Sequence, residues 1–371
     1  MDKHMLIMLV VMGICAFFAH TGDSKGLRKQ CVICVTIVMT LFSGLRTWWF
    51  GDLIKYYTLY TQCNTPDGWN RVFAEFDNVG IRVFFRMAGT LGVSYDICIF
   101  LIALFAAVTL GIVVYKYSPA PYWSYLVYFA MGFYLFTYSG LKQTIAMGFL
   151  MLAASNIFEA KFKKFIFWTV IAGLFHMPAF IFLPAYIIAR QKFTQKYVLF
   201  LALAAVVIFV FRDKIVEIAS KAYYEDEGKF STDGAIGGRT LMMLFILFVA
   251  AILRPVQTKD RIYCQSFNLM IIAAMIQYFG MYNNVFTRLA DYYYQFVVLF
   301  MPLMMETGTH QELARPSYKI KKNDKTIYAL LSVGITLFAL WFYKGTIDGS
   351  WLLLSNYKFV WEINPYDLYG H

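Results

Sequence analysis

The sequence predicts an all-α protein that crosses a membrane many times, and three observations support this. Hydrophobic residues make up 60% of the 371 residues and charged residues 15%, whereas soluble domains contain roughly 45–50% apolar and about 25% charged residues. The apolar residues gather into stretches close to the roughly 20 residues that a helix needs to cross a bilayer. The basic residues lie in short runs between these stretches, as in the cytoplasmic loops of membrane proteins. This composition excludes a water-soluble enzyme, a disordered chain and a disulfide-linked scaffold.

Ten apolar stretches are the predicted membrane-spanning helices. In chain order they cover residues 5–19, 31–45, 94–115, 122–138, 143–158, 197–211, 240–253, 267–282, 291–306 and 326–343. The first is apolar like a signal peptide, but it lacks a cleavage-like end and a second stretch follows at once, so we expect a retained helix. One further block, 165–189, contains His176, Pro178 and Pro184. Because a proline inside a helix removes a backbone hydrogen bond, we predict a broken, re-entrant-like pair of short helices here.

The distribution of charge supports a hairpin at 165–189. With it, the loops on one side of the membrane hold 18 basic and 6 acidic residues, which leaves 15 basic and 16 acidic of the totals of 33 and 22 on the other side. If the block crossed once, every later loop would change sides and the bias would vanish. The positive-inside rule therefore places the basic side in the cytoplasm and both termini outside. The net charge of +11 comes without a basic tail or face, so no nucleic acid partner is expected.

Two long outer segments, 46–93 and 212–239, are predicted to shape an extracytoplasmic cavity. In the first, apolar residues at helical spacing over 79–91 predict a helix that lies in the membrane interface. The second contains Glu225-Asp226-Glu227, but consecutive residues of a solvated loop rarely converge on one ion, so no metal is expected. Because no repeat or long linker divides the chain, residues 1–371 are predicted to form a single transmembrane domain.

Charges at or within the predicted spans are the candidate functional residues, since an Arg or Asp at the bilayer centre costs about 2.5–3.5 kcal/mol on insertion scales. They are Arg46, Asp52, Lys142, His176, Arg239, Arg288 and Asp291. All except His176, which sits at the predicted hairpin turn, map to the outer ends of spans. Such clustering is expected of a basic cavity that opens outward, and several arginines facing one cavity suit a diphosphate or a carboxylate.

Several of these residues also have a purely structural interpretation. Arg46 can snorkel beside the neighbouring tryptophans, and Lys142 can simply mark the membrane interface. Arg288 can pair with Asp291, and His176 can be a structural histidine. These alternatives remain open from the sequence.

Motifs of soluble-type chemistry are missing from the sequence. It contains no hydrolase elbow, phosphate-binding loop, H-E-x-x-H motif or dinucleotide motif, so we expect no cofactor. Cys31 and Cys34 have C-x-x-C spacing without a second pair, and small apolar fillers are the expected role.

Four short elements between about residues 40 and 305 carry a family resemblance. They are Gly44-Leu45-Arg46 with Gly51-Asp52 and Tyr56-Tyr57; Gly140-Leu141-Lys142-Gln143-Thr144-Ile145-Ala146-Met147; Ala172-Gly173-Leu174-Phe175-His176-Met177-Pro178-Ala179; and Arg288-Leu289-Ala290-Asp291-Tyr292-Tyr293. In composition and order they resemble the EpsG/Wzy-like family of bacterial polysaccharide polymerases. Three positions depart from that pattern: Gly51 and Asp52 are adjacent, Lys142 replaces an Arg, and Pro178 replaces a Ser.

The resemblance implies a GT-C-like membrane glycosyltransferase at the outer face of the bacterial plasma membrane. Such an enzyme polymerises lipid-linked oligosaccharide repeat units of a capsule, an O-antigen or an exopolysaccharide. It transfers the growing glycan from undecaprenyl diphosphate to a hydroxyl of the next lipid-linked unit. The residues expected to bind substrate are Arg46, Lys142, Gln143, Arg239, Arg288, Tyr56 and Tyr292, and either His176 or Asp52 is the expected catalytic base. Other polysaccharide-export proteins are further candidate partners.

Two other functions are compatible with the sequence. A flippase or transporter of lipid-linked sugars would use a basic cavity equally well, although it should open to both sides and its hydropathy should contain inverted repeats, which we do not find. A membrane assembly partner without chemistry of its own would tolerate single substitutions of the cavity charges.

Overall fold

The described residues of the computed structural model form eighteen α-helices. They cover 3–22, 24–47, 52–74, 78–223, 237–253, 260–305, 324–348 and 357–362. The helices are α1 Lys3–Thr21, α2 Lys25–Gly44, α3 Leu53–Cys63, α4 Gly68–Phe73, α5 Val79–Thr90, α6 Tyr95–Tyr117, α7 Pro121–Ala130, α8 Phe133–Phe136, α9 Leu141–Phe158, α10 Phe162–Phe175, α11 Ala185–Ala189, α12 Gln195–Val210, α13 Arg212–Tyr223, α14 Gly238–Leu253, α15 Arg261–Tyr278, α16 Val285–Tyr294, α17 Val297–Met305 and α18 Asp324–Asp348. The all-α prediction is therefore confirmed for this part of the chain.

Five of the described helices are long and apolar enough to cross a membrane. They are α1, α2, α6, α9, and α15 together with the turn that follows it, Arg261–Met281. Apolar helices α12 and α14 have 16 residues each, which at 1.5 Å per residue gives about 24 Å, short of the roughly 30 Å hydrocarbon layer. The structure thus supports a multi-spanning protein with five candidate spans, and the number of ten stays a prediction.

Two of the ten predicted spans are broken helices in the protein interior. The stretch 122–138 divides into α7 and α8 at Gly132, whose φ of 76° is in the left-handed region that glycine adopts without strain. The stretch 291–306 divides between α16 and α17. Ser124 Oγ of α7 donates to the carbonyl of Val298 in α17 at 2.6 Å, so the two broken segments contact each other. Irregular backbone at membrane depth is tolerated where protein surrounds it, and the hydropathy pattern does not distinguish such a segment from a span.

The molecule has two polar ends that helix α6 connects. At the first residue of α6, the Tyr95 hydroxyl donates to the carbonyl of Leu53 in α3 at 2.8 Å. We call this end of the molecule the α3 end. Near the last residue of α6, Lys116 forms an ion pair with Glu159 after α9, which defines the Glu159 end. The 23 residues of α6 span about 34 Å, enough to cross a bilayer.

The block predicted to form a hairpin does fold back on itself. Helix α10 begins at the Glu159 end, and a 3₁₀ turn, Met177–Phe182, and α11 bring the chain back. The rings of Phe162 and Tyr186 are 5.0 Å apart, and Arg190 Nη1 donates to the carbonyl of Ile157 at 3.1 Å. Both ends of the block therefore lie at the same end of α9. At the turn, the ring of Phe180 packs directly on Gly173, where no larger residue fits without rearrangement.

Helices α3, α4 and α5 form a small cap at the α3 end, within the predicted outer segment 46–93. The helix predicted over 79–91 is found as α5. Buried Arg82 donates through Nε to the carbonyl of Val72 at 2.9 Å, and Arg86 donates to the carbonyl of Thr65 at 3.2 Å. The two arginines thus stabilise the cap by binding backbone carbonyls of α4 and of the loop that precedes it.

Residues 357–362 return to the α3 end and pack on the end of α2. The amide of Thr47 donates to the carbonyl of Lys358 and the amide of Val360 donates to the carbonyl of Leu45, both at 2.9 Å. Lys3 of α1 forms an ion pair with Glu362 at 2.7 Å. This terminal clamp joins the first helix to the last described residues.

Candidate functional site

His176 lies at the tip of the hairpin, where the helix ends. Its backbone is extended, with φ −150° and ψ 102°, between α10 and the 3₁₀ turn. Pro178 two residues later has no N–H with which to continue the α10 hydrogen bonds. A Cβ at Gly80 of α5 would lie 2.9 Å from the ring of Phe175 and 3.0 Å from the carbonyl of Leu174, so α5 touches the end of α10. The imidazole therefore lies near the α3 end of the molecule.

Helix α16 holds the imidazole from the other side. The His176 Nδ1 atom is hydrogen-bonded to the hydroxyl of Tyr292, whose side chain is fully buried. The next residue, Tyr293, donates its hydroxyl to the carbonyl of Ile181 at 2.7 Å. Both tyrosines thus bind the hairpin. Tyr292 contacts the ionisable side chain of His176, whereas Tyr293 contacts a backbone carbonyl.

Two predicted cations lie within electrostatic reach of the His176 imidazole. They are Lys142, in the first turn of α9, and Arg288 of α16. Both side chains are half-buried, as is His176 itself. The amide of Gln143 donates from Nε2 to the carbonyl of Arg288 at 2.9 Å, which fixes α16 against the beginning of α9. The structure thus brings together five of the predicted site residues: Lys142, Gln143, His176, Arg288 and Tyr292.

Arg239 of α14 pairs with Asp291 of α16, next to Tyr292. The Arg239 guanidinium also lies over the ring of Tyr294, with 5.0 Å from its central carbon to the ring centre. Asp291 is 8% exposed and Arg239 29%, so the pair is largely removed from water. From the sequence, an ion pair between Arg288 and Asp291 remained possible. In the structure, Asp291 pairs with Arg239.

The other predicted residues contact different parts of the molecule. Arg46 is 2% exposed; its guanidinium donates to the backbone carbonyls of Ser43 and Thr137. Asp52, at the beginning of α3, pairs with the exposed side chain of Lys55 at 2.9 Å. Tyr56 lies on α3 within electrostatic reach of Tyr95. The acidic run 225–227 lies outside the described residues.

The sequence pointed to candidate residues but gave little information about their contacts. Tyr292 was predicted as a substrate-binding residue, and its contact with His176 was not foreseen. Gln143 was likewise predicted to bind substrate, whereas its amide binds the protein backbone. No sequence signal identifies these partners, because they depend on how three separate helices pack.

Comparison with known proteins adds one match. The model of the EpsG family matches residues 29–359, which is most of the chain and includes all the residues of this site. No curated protein and no solved structure matches the chain.

Proposed function

Because the chain belongs to the EpsG family, we propose that it is a polysaccharide polymerase. It is a membrane glycosyltransferase that joins undecaprenyl-diphosphate-linked repeat units of a capsule, an O-antigen or an exopolysaccharide. It acts at the outer face of the bacterial plasma membrane, the side on which we place the α3 end. The lipid bilayer and the lipid-linked oligosaccharide are its partners.

One observation carries this proposal: an imidazole at a helix break lies within electrostatic reach of two cations from two other helices. Such a group suits a reaction in which a hydroxyl loses a proton while a diphosphate departs. A base must be within reach of the hydroxyl, and fixed positive charge must stabilise the leaving group. His176 supplies the base, and Lys142 and Arg288 supply the charge.

The proposed reaction is a single displacement at the anomeric carbon. His176 Nε2 takes the proton of the acceptor hydroxyl, whose oxygen forms a bond to the anomeric carbon of the growing glycan. The bond from that carbon to the diphosphate oxygen breaks, and its electron pair leaves with the diphosphate. Arg288 binds the departing oxygens through its planar fork, while Lys142 acts as a compact charge.

In this proposal Tyr292 sets which imidazole nitrogen carries the hydrogen of the neutral ring. Nε2 can accept a proton only when the hydrogen of the neutral ring is on Nδ1, since each tautomer has one donor and one acceptor. In the proposed state Nδ1–H donates to the phenolic oxygen of Tyr292. Tyr292 therefore acts as a positioning residue.

Arg239 is a further proposed ligand of the diphosphate. Asp291 occupies part of its guanidinium, while its Nε atom has no hydrogen-bond partner among the described residues. Arg46, just after α2, and Tyr56, on α3 of the cap, remain proposed substrate contacts. Asp52 remains the second candidate for the base.

The decisive experiment is reconstitution of the purified protein with lipid-linked repeat units. We expect the unmodified chain to produce a ladder of products, and His176→Gln to slow it by about 100-fold or more. His20→Gln, on the exposed last turn of α1, is the matched control and should leave the ladder intact. A ladder that survives His176→Gln but disappears with Asp52→Asn would assign the base to Asp52. If lipid-linked units cross the bilayer and no ladder forms, the protein is a flippase and the proposal is wrong.

A further inference from the structure

A small cavity lies between α6, α8, α9 and the break that separates α16 from α17. Four polar residues line it, Thr109, Thr137, Thr144 and Gln295, and the rest of its wall is mostly apolar. Gln295 is fully buried and Thr144 is 4% exposed. The cavity thus places buried polar groups inside a largely apolar region.

Two atoms at this cavity lack hydrogen bonds to protein. Neither Gln295 Oε1 nor Thr144 Oγ1 has a partner among the residues that the structure describes. A buried polar atom without a partner costs about 1–3 kcal/mol, and buried polar atoms in proteins are almost always satisfied by protein or ordered water. Two such atoms on one small cavity therefore indicate a shared ligand.

We propose that this cavity is a binding site for one water molecule that bridges α9 to the α16–α17 break. The space open to the centre of a water molecule is about 20 Å³, and one water needs roughly 10–15 Å³ by this measure. The hydrogen-bond directions also agree. Thr109 donates its hydroxyl hydrogen to the carbonyl of Phe105 and Thr137 donates its own to the carbonyl of Tyr134, so both retain accepting lone pairs.

The water can therefore form the roughly three hydrogen bonds that buried waters usually have. It accepts from the hydroxyl of Thr144 and donates one hydrogen to Gln295 Oε1. Its second hydrogen goes to Thr109 or Thr137. The four oxygens are all uncharged, which favours water over a cation that must lose its own hydration shell.

The bridge supports the neighbouring site through Gln295. Its Nε2 donates to the carbonyl of Tyr292 at 3.1 Å, and Thr144 follows Gln143, which binds the carbonyl of Arg288. The beginning of α9 thus holds α16 twice, once directly and once through water. Thr144 and Gln295 act as positioning residues, and the water site does not require the proposed reaction.

Thermal unfolding of the purified full chain tests the bridge. We expect Thr144→Val to lower the unfolding midpoint by about 2 °C and Thr144→Ser to restore it. In a Gln295→Met background, Thr144→Val should have little further effect, because the bridge is already broken. The matched control is Thr169→Val, since Thr169 is equally buried but its hydroxyl donates to Phe165 of its own helix.

Three results would overturn the water bridge. One is a Thr144→Val protein as stable as the unmodified chain. Another is an unfolding midpoint that rises with Na⁺ and not with K⁺, which would place a cation here. The third is a high-resolution map that resolves other buried waters but has no density between Thr144 and Gln295.

Discussion

A single hydrogen bond distinguishes Tyr292 from its neighbour Tyr293. Both hydroxyls bind the hairpin, but Tyr292 contacts the imidazole of His176 and Tyr293 contacts a backbone carbonyl. We expect Tyr292→Phe to slow polymerisation about 10-fold, the value of one hydrogen bond of about 1.4 kcal/mol. It should also shift the pH profile of the rate, since the ring loses its tautomer control. Rates with purified lipid-linked units across a range of pH measure both effects.

Tyr293→Phe is the control for that change. It removes the corresponding hydroxyl of the next residue along α16. We expect it to lower stability without shifting the pH profile of the rate. If the two variants have the same rate and the same profile, Tyr292 does not position His176.

The Arg239–Asp291 pair predicts a non-additive effect on stability. Asp291→Asn leaves a largely buried guanidinium without its counter-charge, which costs about 2 kcal/mol or more. Changing Arg239→Gln as well removes the stranded charge, so the double variant should be more stable than the sum of the two single changes predicts. Thermal unfolding of the three variants measures this coupling. Strict additivity would mean that the pair contributes nothing.

At the scale of single residues, the sequence identified candidate charged residues but not the side chains with which they pair. A charge in an apolar stretch is conspicuous because it is costly in lipid, which is why Arg239, His176 and Arg288 are candidates. Which carboxylate meets which cation depends on the rotation and tilt of packed helices, and the spacing along the chain carries no such information. Asp291 lies three residues from Arg288 on one helix, yet it pairs with Arg239 of α14.

The turn of the hairpin is the element on which the site depends, and Gly173 makes it possible. A methyl group at this position meets the ring of Phe180, so we expect Gly173→Ala to lower the unfolding midpoint and reduce polymerisation with it. Gly13→Ala is the control, because nothing lies within 4 Å of the new methyl group and alanine stabilises a helix relative to glycine by about 0.5–1 kcal/mol. Equal midpoints for the two variants would show that the chain turns without close packing at Gly173.

The ion pairs that Glu159 forms with Lys116 and Lys161, where α6 and α9 end, predict that stability depends on pH. Lys116 and Lys161 hold the pKa of Glu159 down, from 4.5 to about 2, although this carboxylate follows the negative end of α9. A lowered pKa means that the stabilisation is present above pH 4.5 and is lost as the pH falls towards about 2. The unmodified chain should therefore lose more stability in this window than Glu159→Gln.

Asp213→Asn is the control for acid sensitivity, since it removes one carboxylate that is 83% exposed. Unfolding midpoints of the three proteins at several acidic pH values make the comparison. If Glu159→Gln follows the same acid profile as the unmodified chain, the lysines do not stabilise the ends of α6 and α9 through Glu159.

Element by element, hydropathy predicted four of the long apolar helices well. Helices α1, α2, α6 and α9 begin and end within a few residues of the predicted stretches. In 122–138 and 291–306 the structure has two short helices where hydropathy predicts one continuous helix, because hydropathy carries no signal for a break inside an apolar stretch that protein surrounds. The hairpin was predicted because two prolines and a charge count agreed, which are two independent physical signals.

At the scale of the whole molecule, the positions of the two polar ends follow from one structural relation. The Glu159 end contains Lys161, Lys163 and Arg190. The cap and the terminal clamp lie at the α3 end. Because both ends of the hairpin lie at the Glu159 end, the hairpin does not move the following loops to the other side, as the charge count assumes. The sequence could predict this relation because the excess of positive charge is a property of whole loops and is insensitive to the exact ends of helices.

This arrangement makes a prediction about accessibility in intact cells. Gln62→Cys on α3 and Lys163→Cys on α10 place exposed thiols at opposite ends of the molecule. A maleimide that cannot cross the membrane should label Gln62→Cys and leave Lys163→Cys unmodified until the cells are opened. The unmodified chain, with its 6 cysteines, gives the background, and a permeant maleimide should label both variants. The reverse pattern would place the His176 site on the cytoplasmic side, where an outer-face polymerase cannot work. Labelling of Gln62→Cys alone is the outcome that a glycan-joining site at the outer surface requires, because the end of the molecule next to His176 then faces outward.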